Sequence, residues 1–172
     1  MKLTMACFIY TLLIVAGCAT HAPMIDWNDT QIIFTHISVT TDNSKELTTY
    51  QGPWYNEKEI GGYLLRAWKY AKDENATYQI YIKDHYSDDS GFFGSAYDQD
   101  HNKLMTVTIS RENDLCIERS CWLHHPLGIN VDKEYLKKYK ESGISIELFD
   151  KTGDTDFFIP PAYIKALLDK VG

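Results

Sequence analysis

The sequence predicts an α+β domain: mostly antiparallel β-sheet, built as hairpins or a meander, with two C-terminal helices packed on it. Three observations lead there. Residues 103–110 alternate, with Leu104, Thr106, Thr108 and Ser110 on one side and Met105, Val107 and Ile109 on the other. That is the period of a strand with one buried face, and the second, apolar set is expected to point inward. Aromatic residues are plentiful, 12 Tyr and 7 Phe among them, which suits a pleated, half-buried surface and argues against disorder. The last third of the chain, finally, carries helix start and stop signals at the right spacings.

Taken in order, residues 30–41 are rich in Ile, Phe, Val and Thr, with Ile33, Thr35, Ile37 and Val39 on one side, and read as a strand. Residues 42–58 are polar and aromatic around Gly52-Pro53 and read as a loop. Residues 63–70 fit either a short helix, from the spacing of Leu64, Leu65 and Trp68, or a strand. Gly61-Gly62 in front and the polar turn 72–75 behind favour the strand, in a hairpin with 78–83. Residues 91–97 and 103–110 form a second strand pair across 98–102, and 128–131 a short strand. Asp132 suits an N-cap, residues 133–142 put Tyr135, Leu136 and Tyr139 on one stripe, and Gly143 suits the C′ position. Residues 144–149 and 156–159 make a hairpin across 151–154. Pro160-Pro161 then opens a helix with Tyr163, Ile164, Leu167, Leu168 and Val171 as its buried stripe.

The chain opens Met1-Lys2, runs almost wholly apolar from Leu3 to Ala16, and has no acidic residue before Asp26. This is a charged n-region and a short h-region, below the ~20 apolar residues that span a bilayer. It ends Val15-Ala16-Gly17-Cys18, which resembles the lipobox of bacterial lipoproteins. The resemblance covers the targeting segment alone. It implies that residues 1–17 are removed and that the Cys18 thiol carries lipid. Ala19 after that cysteine implies outer-membrane sorting, with the domain facing the periplasm. Residues 18–28 are then a lipidated N-terminus and tether, and 29–172 one globular domain. Attachment would rest on acyl chains, each buried CH₂ contributing ~0.8 kcal/mol.

Cleavage there would leave 155 of the 172 residues, 16 basic and 24 acidic, a net charge of −8. Such a balance argues against nucleic acid and against a basic lipid-binding patch. Of four cysteines, Cys7 leaves with the signal and Cys18 is lipidated, so Cys116 and Cys121 remain. Outside the cytoplasm that pair is expected as a disulfide closing a small loop.

Other constellations yield to simpler readings. Cys116, Cys121, His124 and His125 hold zinc-ligand chemistry, but not at the spacing of paired-ligand hairpins, and the cysteines would be oxidised. A haem attachment needs histidine where Trp122 stands. Residues 98–102 begin like a calcium loop, yet Lys103 and Ile109 occupy the positions that need glycine and glutamate. Asp84, Asp88 and Asp89 read as a solvated acidic loop. Asp150-Lys151-Thr152-Gly153 resembles the phosphorylated motif of P-type ATPases but departs from it at Asp154, and a hairpin turn explains it. No metal and no cofactor are expected.

Loop aromatics among small polar residues mark Trp54, Tyr55, Tyr86, Phe92, Phe93 and Tyr97, with His124 and His125, as the candidate binding surface. The expected role is a non-enzymatic envelope lipoprotein that binds another envelope protein or aids assembly. The alternatives are a small hydrolase of cell-wall glycan or peptide using His124/His125 or the 84–89 region, and an inhibitor or immunity-type lipoprotein for a basic target.

Overall fold

The structure, a computed structural model, describes residues 24–58, 60–83, 85–87, 94–109, 112–117, 120–124, 126–149 and 153–172, with backbone alone at 85–87, 112–117 and 120–124. Among the described residues three helices and twelve strands follow in the order α1 (Thr30–His36), β1 (Ser38–Asp42), β2 (Leu47–Gln51), β3 (Tyr63–Tyr70), β4 (Thr77–Ile82), β5 (His85–Ser87), β6 (Ser95–Asp98), β7 (Lys103–Thr108), β8 (Glu112–Ile117), β9 (Ser120–His124), β10 (Leu127–Val131), α2 (Lys133–Tyr139), β11 (Ile144–Phe149), β12 (Asp154–Ile159) and α3 (Pro161–Val171). The α+β class, mostly antiparallel sheet with a C-terminal helix packed on it, is as the sequence predicts.

Nine strands form one antiparallel sheet, β1-β2-β3-β4-β10-β7-β6-β11-β12, and three form a second, β5-β9-β8. The small sheet repeats the order of the strands it continues, since β4 leads into β5, β7 into β8, and β9 into β10. The large sheet coils strongly. Tyr63 on β3 donates from its hydroxyl to the Phe158 carbonyl on the edge strand β12 at 2.6 Å, and its ring lies 5.0 Å from that of Phe157. The helices cover the concave face. Tyr163, Ile164, Ala166 and Leu167 of α3 are buried there with Leu65, Ile80, Ile129, Ile146 and Ile159 from the sheet, and Ile33 and Ile37 join them from the α1 end.

Four expectations are corrected. Residues 30–41 are not one strand but α1 followed by β1. Asp29 accepts from the Gln31 and Ile32 amides at 2.8 and 3.0 Å, and this cap outweighs the β-branched composition. Ile33 and Ile37 sit four apart, so the residues that suggested alternation also share a helical face. Asp29→Ala is expected to cost about 1 kcal/mol in urea unfolding; an unchanged midpoint would mean that α1 does not depend on this cap.

Residues 42–58 contain β2, reached through a turn in which Asp42 accepts from Ser44 and Lys45 and Glu46 takes a positive φ of 52°. Residues 133–142 are helical only to Tyr139; the Gly143 amide closes the end on the Tyr139 carbonyl at 2.8 Å, with Gly143 at φ 80°. On β7 the apolar set faces outward, Met105 being 68% and Val107 40% exposed, while Leu104 is buried. The register explains the reversal: Thr106 pairs with buried Ile129, so its side of β7 is the concave one, whereas Met105 pairs with Asn130 on the open face.

Candidate functional site

The helices leave the convex face of the large sheet open, and alternation decides what it carries. On β3 it carries Leu64, Arg66, Trp68 and Tyr70, the residues between the core-facing Tyr63, Leu65 and Ala67. On β4 it carries Gln79 and Tyr81, on β10 Gly128 and Asn130, and on β7 Met105 and Val107, placed by direct pairing of Arg66 with Gln79, Gln79 with Asn130, and Asn130 with Met105.

A ladder of polar side chains crosses these strands. Arg66 Nε and Nη2 donate to Gln79 Oε1 at 2.9 and 2.5 Å, and Gln79 Nε2 donates to Asn130 Oδ1 at 2.7 Å. The Arg66 guanidinium carbon lies 4.5 Å from the Tyr81 ring centre and 5.7 Å from that of Trp68. Burial pushes the Arg66 pKa down, while the neighbouring Tyr81 works the other way. Trp54, 39% exposed, meets Tyr81 edge-on at 5.7 Å. Exposed apolar side chains continue along the face at Met105 and Val107, and Phe158 is 46% exposed on β12.

A second feature lies toward β12. An open cleft of about 570 Å³ is lined by Glu57, Gln99, His101, Glu147, Asp156 and Phe158 among others. A neighbouring hollow of about 440 Å³ shares His101 and Glu147 and adds Tyr97 and Phe149. Glu147 and Asp156 are direct cross-strand partners, a like-charge pair that costs stability. The cleft is therefore acidic and open, and its charge suits a basic surface.

Asp98, at the inner side of this region, is a structural group. Burial raises its pKa, but hydrogen bonds from the Asn102 amide and side chain, the Asp100 amide and the Tyr135 hydroxyl outweigh this and hold it below the ordinary carboxylate range. It fastens α2 to the β6–β7 turn. The calcium-like segment 98–102 is thus a hydrogen-bonded turn, and no group of three His, Cys, Asp or Glu suited to a metal occurs among the described residues.

Of the residues singled out from sequence, Trp54 lies on the open face, and Tyr97 lies in the hollow with its ring at 90° to Phe149, 5.5 Å away. Tyr55 spends its ring on the core, stacked on Tyr63 at 4.9 Å and tilted to Trp27 at 4.7 Å. Cys18, Phe92, Phe93 and His125 lie outside the described residues, as does most of the 84–89 region and the turn 150–152. Tyr86 and His124 are described in backbone only, on β5 and β9, paired with Leu123 and His85 respectively. Cys116 and Cys121 are direct Cα partners across β8 and β9, their side chains outside the description. Sequence reasoning missed Arg66, Gln79, Tyr81 and Asn130. The available signal was an arginine in mid-strand, flanked at two-residue spacing by Leu64 and Trp68.

Comparison with models of known families, with curated proteins and with solved structures finds no match to this chain. No helix among the described residues is long and apolar enough to cross a membrane.

Proposed function

We propose that this chain is an envelope lipoprotein, cut before Cys18 and held by lipid in the outer membrane facing the periplasm. On this reading its domain binds another envelope protein rather than turning over a substrate. The anchor rests on Val15-Ala16-Gly17-Cys18. The observation that carries the binding role is the open sheet face, where Met105, Val107 and Trp54 stay exposed on ordered strands or beside them; contiguous exposed apolar side chains on a folded surface mark contact sites. The acidic cleft near β12 favours a partner with a basic rim beside an apolar patch.

Cys116 and Cys121 enter the same reading as a disulfide. Direct antiparallel partners have Cα atoms about 4.5–5.5 Å apart, within the disulfide range of about 4.4–6.8 Å, so the register supports the bond without moving the backbone.

Peptide mass mapping of the protein taken from membranes, without reduction, tests anchor and disulfide together. It should find an acylated N-terminal Cys18 and a 116–121 link, and Cys18→Ser should release the protein from the membrane fraction. An unmodified residue 18, or two free thiols, would overturn the respective part. For binding, a photo-cross-linking side chain at Met105 should give one discrete adduct in intact cells, and the same group at Glu141 on the helical side none. Equal adducts at both positions would refute a role for the open face.

A further inference from the structure

The polar ladder fixes the guanidinium of Arg66 through Gln79. Gln79, only 5% exposed, is fixed by its bond to Asn130, and its amide fills space left by the missing side chain of Gly128, where a Cβ would fall 2.5 Å from Cδ and Nε2. From that fixed position Oε1 takes both Nε–H and one Nη2–H of Arg66. This uses the side edge of the guanidinium. The end edge, formed by Nη1 and the second Nη2 hydrogen, is the other place where a carboxylate can bind in a two-pronged fashion.

The chain has 24 acidic residues, yet among the described residues none forms an ion pair with Arg66. The guanidinium is half-buried against Tyr81, with Trp68 further off and Trp54 against the edge of Tyr81. A cation held off water by aromatic rings gains from a ring face, and gains more from an anion in fork geometry. Trp68 also offers apolar surface beside the charge.

We infer that Arg66 anchors a binding site for a carboxylate carried next to a planar or apolar group, taken end-on by Nη1 and Nη2 while the apolar part lies along Trp68. The site lies on the same open face as the cross-linking reading, but its test uses purified protein and a small acid, so it can fail without touching that reading or the lipid anchor.

The chain has three arginines, Arg66, Arg111 and Arg119, so its Nε signals are few enough to assign with Arg66→Lys. The full-length protein in a neutral detergent is titrated with benzoate, benzamide and sodium chloride while the ¹⁵Nε spectrum is followed. The Arg66 signal should shift saturably with benzoate, at least about tenfold tighter than with benzamide, the margin expected for a charge-assisted over a neutral hydrogen bond. Chloride at equal concentration should leave it unmoved. N-acetylphenylalanine and its amide form a second arm: tighter binding of the acid than of benzoate assigns the site to a peptide C-terminus, and weaker binding to a small free acid. A benzoate-dependent shift of a tryptophan indole ¹⁵N signal, present in the unaltered protein and lost in Arg66→Lys at an unchanged Tm, supports the fork. Equal responses to benzoate and benzamide, or none to either in the unaltered protein, would overturn the proposal whether or not the variant folds.

Discussion

Gly143→Ala is expected to destabilise the domain by about 2–4 kcal/mol, combining left-handed backbone strain with overpacking. Gly143 joins α2 to β11 at φ 80°. A Cβ there would press into the Phe158 ring and stand 2.7 Å from the Ile159 carbonyl oxygen. The ring belongs to a side chain 46% exposed and can turn aside. The carbonyl cannot, because Ile159 is paired with Ile144 in the β11–β12 ladder. Two costs therefore add at one atom, and the shift in Tm should be roughly 5–15 °C for a domain of this size. Urea unfolding of the variant beside the unaltered protein measures it. A change below about 1 kcal/mol, the ordinary effect of a point substitution, would contradict the left-handed assignment.

Tyr163→Phe should cost about 2–4 kcal/mol, because one hydroxyl serves two backbone groups and an unpaired buried group costs about 1–3 kcal/mol. β2 ends at Gln51, and Gly52 still donates to the Leu65 carbonyl at 2.9 Å, but Pro53 turns the chain away. The Leu65 amide then has no strand opposite it. The Tyr163 hydroxyl accepts from that amide at 3.1 Å and donates to the Pro53 carbonyl at 2.6 Å. Burial drives the Tyr163 pKa upward, so the group stays a neutral donor across the working pH range. Gly52 has no Cβ for the same reason: one would overlap the hydroxyl and lie 2.6 Å from Cε2. Gly52→Ala should thus be at least as harmful, and the double variant less harmful than the sum, since removing the hydroxyl clears part of the collision. Hydrogen exchange gives an independent reading. The Tyr55 and Tyr63 amides, which bond each other's carbonyls at 2.8 and 2.9 Å, should exchange faster in Tyr163→Phe. Protection equal to the unaltered protein would show that the hydroxyl does not hold this loop.

Those two sites also show why some of the fold was legible and some was not. Asp132, Gly143 and Pro161 act within a few residues of themselves, so the start of α2, the turn after it and the start of α3 could be read locally. α1 could not, because Ile33 and Ile37 satisfy both periods until one sees that Asp29 caps the segment and α3 receives its face. The facing of β7 could not be read either. Met105 and Val107 are apolar but pair with Asn130 and Gly128, and only the register says which side those occupy. The polar ladder was hidden for a related reason. Aromatic composition drew attention to the loops, whereas the ordered constellation is assembled from β3, β4 and β10, with Arg66 and Asn130 far apart in sequence and one amide apart in space.

β10 lies between β4 and β7, although the chain lays it down after both. During synthesis, β1 to β4 can zip as a local meander, and β6 can pair with β7. The two assemblies cannot join edge to edge until residues 127–131 arrive to fill the gap. Two unpaired edges therefore wait on one late strand, and with distant pairings at its centre the sheet is committed to slow, late closure, the interval in which edges invite aggregation. In this chain the last third is what turns two half-sheets into one.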